Sequence, residues 1–265
     1  MTLGTYTVSI FISGLQIVML ALLLALSIRM IGKGGGSLAA VHLSFCLALW
    51  LMGDLYWIVY DLMRPESRMP FAANEIGEAA VFLMLAAIIN FVMAGGTHPP
   101  VAYKMGAVLF GIGNTALWIA WSGEWIQDIL IGTVFTWLLY SIVRSLVSLQ
   151  ILSGWQWTLL CMLCIGLIAG QSLLFFVENI AGTVIETGVY VILLTGIIFF
   201  VYRLIQSYKK KDEPGVLLTV AFALIAWVVL GKYMSEGIAY NVFLLLETLI
   251  LPVCFLSVRK AVTVR

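Results

Sequence analysis

Long apolar runs and short polar or glycine-rich breaks alternate along the chain from one end to the other. A helix rises 1.5 Å per residue, so about 20 such residues are needed to cross a hydrocarbon core of ~30 Å. That ruler predicts spans over 7–31, 38–61, 79–96, 104–122, 128–150, 157–177, 185–206, 215–235 and 240–258, nine in all. Span 215–235 is the weakest, because Lys232, Ser235 and Glu236 crowd its end, and without it eight remain. The expected fold class is all-α: a polytopic integral membrane helix bundle making a single transmembrane domain over 1–265. In it an anchor helix, 7–31, precedes four helical hairpins, 38–96, 104–150, 157–206 and 215–258.

Positive charge orients such a bundle, since short cytoplasmic loops retain Lys and Arg. With the N-terminus outside, only Arg64, Arg68 and Lys232 of the 14 basic residues fall on the outer side, and the other 11 face the cytoplasm. The C-terminus is then cytoplasmic, which an odd number of spans requires. No basic residue precedes the first span and Arg29 stands at its inner end, so it reads as an uncleaved anchor rather than a signal peptide.

Composition narrows the class further. Hydrophobic residues make up 63% of the chain and charged ones 10%, against about 25% charged in a soluble domain, and mean hydropathy is +1.09. A soluble enzyme is excluded. The net charge of +1 offers no basic field for nucleic acid. Gly32-Lys33-Gly34-Gly35-Gly36-Ser37 lacks the Gly-Lys-Ser/Thr ending of a phosphate loop and reads as a cytoplasmic link. The run Lys209-Lys210-Lys211 reads as a topology determinant beside anionic headgroups. The expected location is the plasma (inner) membrane, with the lipid bilayer as the first partner.

Acids distribute the opposite way. Of the 13, only Asp212 and Glu213 fall inside under this topology. Loop acids need no explanation, but Asp54 and Glu247 lie on the order of 10 Å below the outer boundary of their spans. A charge at that depth costs a few kcal/mol and turns towards a partner, the bundle interior or a water-filled cavity. Gln16, Asn90, Asn114 and Gln171 reach similar depth. An outward-facing polar cavity accounts for the asymmetry; scattered hydrogen bonds between helices are the alternative. Glu247 sits in an otherwise apolar run, Val242 to Leu251, and Lys232 is the nearest cation in sequence to compensate it.

The second span carries the densest signal. Trp50, Asp54, Trp57 and Asp61 follow i, i+4, i+7, i+11 spacing along one helical stripe, with Tyr56 and Tyr60 beside it. Rings next to a carboxylate suit a cationic or amphipathic ligand, although Trp57 and Tyr60 also fit an interfacial aromatic belt. After the stripe come Arg64 and Arg68, two prolines, Asn74 as a helix cap, then Glu75 and Glu78. Arg64 and Arg68 either pair with Asp61, Glu75 or Glu78, or this stretch with its arginines, Glu75 and Glu78 forms a lid over an outer pocket.

The stretch Gly53-Asp54-Leu55-Tyr56-Trp57 through Arg64-Pro65 and Pro70-Phe71 to Glu75-Ile76-Gly77-Glu78 resembles the membrane-embedded sensory regions that precede diguanylate cyclase domains in bacterial receptors. The resemblance spans about residues 50–90 and implies a signalling role. No cyclase domain follows the last span, so that role would run through a separate cytoplasmic signalling protein, and the resemblance supplies no catalytic residue.

Other motifs carry less. Cys46, Cys161, Cys164 and Cys254 all fall inside spans and read as buried small hydrophobes. His42 and His98 are too few for a metal or haem site, so no metal and no cofactor are expected. Gly166 and Gly170 make a helix-packing face. Three functions remain. The first is a small-molecule binding or sensing module signalling to a cytoplasmic partner; the second is a small ion- or proton-coupled transporter; the third is an integral-membrane lipid-modifying enzyme, for which a catalytic cluster is lacking.

Overall fold

The structure, a computed structural model, describes residues 3–32, 38–63, 73–93, 98–177, 179–210 and 213–263. Among the described residues every regular element is an α-helix: α1 (Leu3–Gly32), α2 (Leu38–Met63), α3 (Ala73–Val92), α4 (Val101–Ser122), α5 (Trp125–Ser148), α6 (Gly154–Leu173), α7 (Asn179–Lys210), α8 (Pro214–Tyr233) and α9 (Gly237–Thr263). Helices are what lipid permits, because each closes its backbone hydrogen bonds within itself.

Eight of these helices are long and apolar enough to cross a membrane, and α3 carries a shorter apolar stretch, Ile76–Val92. The weak helix is therefore the third and not the eighth. Lys232 occupies the last turn of α8 and leaves the run before it uncharged, whereas the first turns of α3 carry Asn74, Glu75 and Glu78. The span expected over 157–177 also ends early, at Leu173, where Leu174–Phe176 form a turn. Helix α7 in turn starts at Asn179, which adopts φ 65°, and runs 32 residues, about 48 Å. Asn is among the few residues that tolerate this left-handed conformation.

The helices group into two compact units. One comprises residues 1–94 and 228–265, the other 95–227, so the boundary falls within α8. In the first unit α2 packs against α3 and α1, and α9 against α1 and α2. Ser44 on α2 donates to Ser27 on α1 at 2.9 Å. Gly231 and the Phe243 ring are so close that a Cβ on the glycine would overlap the ring, which fixes the approach of the last turn of α8 to α9.

In the second unit α4 and α5 cross through a reciprocal pair of contacts. Gly111 on α4 receives Thr136 of α5, and Gly132 on α5 receives Thr115 of α4, with no room for a Cβ at either glycine. Both threonines turn their hydroxyls back to the glycine carbonyl one turn earlier, Thr115 to Gly111 at 2.9 Å and Thr136 to Gly132 at 2.7 Å. Small residues let helix backbones approach where no hydrophobic effect drives association. The glycine face expected on the sixth span packs as well, Gly166 against Ile192 and Gly170 against Val189. Trp227 fills the space beside Gly196 and donates its indole N–H to the Leu193 carbonyl at 2.9 Å.

Candidate functional site

The stripe on α2 opens onto a cavity of about 170 Å3 inside the first unit, to which α1, α2, α3, α8 and α9 all contribute. Trp50, Gly53, Asp54 and Trp57 form its α2 wall, and the i, i+4, i+7 spacing brings both rings and the carboxylate to one side. Ser13 and Gln16 of α1, Glu78 of α3, Lys232 and Tyr233 of α8, and Tyr240 and Glu247 of α9 complete the polar lining.

Lys232 is the electrostatic centre. Its Nζ lies 2.9 Å from Glu247 Oε2 and 3.7 Å from Glu78 Oε1, and it donates a hydrogen bond to Glu247 Oε1 at 3.1 Å. Glu247 is almost wholly enclosed, its side chain 1% exposed, while that of Glu78 is 28% exposed. Glu78 thus marks the more open part of the cavity and Glu247 its floor. The Gln16 amide lies beside the Glu247 carboxylate without closing a hydrogen bond through its nitrogen. The ammonium also sits 5.7 Å from the Tyr233 ring centroid, within the range of a cation–π contact.

Asp54 differs from the other two acids. Its Oδ2 is buried and has no hydrogen-bond partner among the described residues, although Lys232, Glu247 and Glu78 are within electrostatic reach. Three carboxylates thus face one ammonium, and one of the three has an unpaired buried oxygen. With all four groups ionised, the described residues lining the cavity carry two negative charges in excess. Interior electrostatics are strong because the effective dielectric is well below that of water.

The cavity unites Asp54, Glu247, Trp50, Trp57, Gln16 and Glu78 from the candidates read in the sequence. It does not include Asn114 and Gln171, which belong to the second unit. Asn114 is buried and donates to the Phe110 carbonyl at 2.7 Å, and Gln171 is buried on α6. Depth along a span is the same for both groups; the helix they are on is not. Asn90 bonds back to Ala86 within α3 at 2.9 Å. Glu78, expected to pair with Arg64 or Arg68 or to act as a lid, lies within 3.7 Å of Lys232 through its Oε1. Arg64 and Arg68 lie outside the described residues, as do the side chains of Asp61 and Glu75. Tyr56 and Tyr60 stack on each other with ring centroids 6.2 Å apart and take no part in the cavity.

Sequence reasoning missed Ser13, Tyr233 and Tyr240. Tyr240 was within reach, for it precedes Glu247 by seven residues and so shares its helical face. Ser13 lies three residues before Gln16 and shares its face in the same way. Of the cysteines expected to be buried, Cys46 and Cys254 are, and Cys161 is exposed on α6.

Fold and cavity together define a polytopic, all-helical membrane protein with a charged, aromatic-walled cavity in one of its two units. Comparison with protein-family models, with curated proteins and with solved structures finds no match.

Proposed function

We propose that this protein is a binding or sensing module whose cavity takes a small cationic or amphipathic molecule from the outer side and signals to a cytoplasmic partner protein. The observation that carries this reading is the buried, unpartnered Oδ2 of Asp54 in a cavity where three carboxylates meet one ammonium. An excess of buried negative charge is costly unless a cation enters or a carboxylate takes up a proton. Trp50, Trp57 and Tyr240 line the cavity, and aromatic rings attract organic cations. The resemblance of residues 50–90 to receptor sensory regions agrees with a signalling role.

Binding of a panel of alkylammonium ions to the full chain in detergent, by titration calorimetry, tests the reading. Saturable binding that Asp54→Asn abolishes supports it. Absence of binding across the panel overturns it. The enclosed Lys232–Glu247 pair favours a second reading, a small transporter in which these charges couple substrate to ion or proton movement. Uptake of the bound ion into proteoliposomes separates the two, since a sensor carries none.

A further inference from the structure

The second unit has a cavity of its own, about 540 Å3, where the start of α4, the turn between α5 and α6, and α7 converge. We propose that it is an anion site that takes a phosphate group, of the kind an anionic phospholipid headgroup presents.

Arg203 of α7 is the one charged side chain lining it among the described residues. Its guanidinium donates through Nη2 to the Ile151 carbonyl and through Nη1 to Gln206 Oε1 at 3.0 Å. Its Nε is buried and has no partner. Every acceptor it meets is neutral. A guanidinium presents five donors in a planar fork suited to phosphate, and here no carboxylate among the described residues compensates its charge. Gln156 uses its Oε1 to accept the Ser153 backbone N–H at 2.9 Å, closing the start of α6, so what it leaves for a ligand is its NH2, a donor. Tyr103 and Trp157 meet edge to face with ring centroids 4.7 Å apart and form an aromatic wall. Amphipathic rings of this kind sit at headgroup level. Lys104, Arg144, Lys209 and Lys210 stand near this end of their helices, and by the retention of positive charge in the cytoplasm this end faces the inner leaflet, where anionic lipids concentrate. Gln150 stands at the mouth, exposed, in a turn at φ 50°.

The site is independent of the acidic cavity in the other unit, so either can fail alone. The test is thermal unfolding of the full chain in a zwitterionic detergent, with phosphatidylglycerol, phosphatidylcholine or inorganic phosphate added in turn. Phosphatidylglycerol should raise the melting temperature in a saturable way and phosphatidylcholine should not. An equal effect from inorganic phosphate alone would assign the site to a free anion, and keeps the chemistry. Arg203→Gln should abolish the effect. Because Arg203 also holds the Ile151 carbonyl, that variant can fail to fold, and Gln150→Glu supplies the second test. It leaves the clamp intact, sets a carboxylate at the mouth and should weaken the lipid's apparent affinity by about tenfold or more. Equal stabilisation by both lipids, or a lipid response unchanged in Gln150→Glu, overturns the proposal.

Discussion

Lys232 near the end of α8 and Glu247 on α9 form an enclosed ion pair, with Nζ 2.9 Å from one carboxylate oxygen and 3.1 Å from the other. Their side chains are 11% and 1% exposed. An isolated charge inside a membrane bundle costs a few kcal/mol, and each member of the pair offsets the other's cost. The pair also ties the last turn of α8 to α9 at the level where Gly231 and Phe243 touch.

The two halves of that pair should not be equivalent. Lys232→Met leaves Glu247 uncompensated beside Glu78 and Asp54, and should cost about 3–5 kcal/mol of stability. Glu247→Gln leaves Lys232 with Glu78 at 3.7 Å and with Asp54, and should cost clearly less. The double variant should be more stable than Lys232→Met alone. Unfolding in detergent, read through the double-mutant cycle, measures all three. Equal costs for the single variants would mean that Glu78 and Asp54 do not share the lysine's charge.

Asp54 should separate binding from folding. Asp54→Asn keeps size and hydrogen bonding while removing charge, so it should lose cation binding with little change in melting temperature. Asp54→Leu puts an apolar side chain into a polar cavity and should destabilise or inactivate the protein. A leucine variant with a raised melting temperature and unchanged function would sink the cavity reading at its central residue.

The α4–α5 crossing should be intolerant of volume. Gly111→Leu or Gly132→Leu drives a side chain into Thr136 or Thr115, and overpacking of this kind costs about 1–3 kcal/mol or more. Gly188 on α7 has nothing within 4 Å of the Cβ position. Gly188→Ala should therefore be neutral or stabilising by up to about 1 kcal/mol, the ordinary gain in helix propensity. Melting temperatures of the three variants in one detergent decide this; similar values would mean that the crossing is not tight.

Topology is testable without a ligand. A reporter fused after Arg265 should be cytoplasmic, and a cysteine at Ser67, in a chain freed of its four native cysteines, should label from outside. The motive is the partition of basic charge expected from the span layout, which puts 11 of the 14 basic residues on one side. Labelling of the Lys209–Lys211 loop from outside would reverse the orientation, and with it the side from which a ligand reaches Asp54.

The number and order of the helices were legible in the sequence because the constraint behind them is local. A chain in lipid must satisfy its backbone within each segment, so hydropathy over about 20 residues suffices. The stripe of Trp50, Asp54 and Trp57 was legible for the same reason, since three residues on one helix have fixed angular relations. Even the partner of Glu247 could be named, because an apolar run around a carboxylate leaves few cations to choose from.

What the tertiary structure alone decided is non-local. Gln16, Asn114 and Gln171 have the same polarity and similar depth, yet only Gln16 joins the cavity, because α1 packs against α2 and α9 while α4 and α6 belong to the other unit. Glu78 looked like a loop residue, and α3 turns it towards Lys232. The reciprocal glycine–threonine contacts of α4 and α5 depend on a crossing point that neither helix encodes by itself. Which face meets which neighbour is set by the summed packing of five or more helices, and that sum is visible only once all of them are in place.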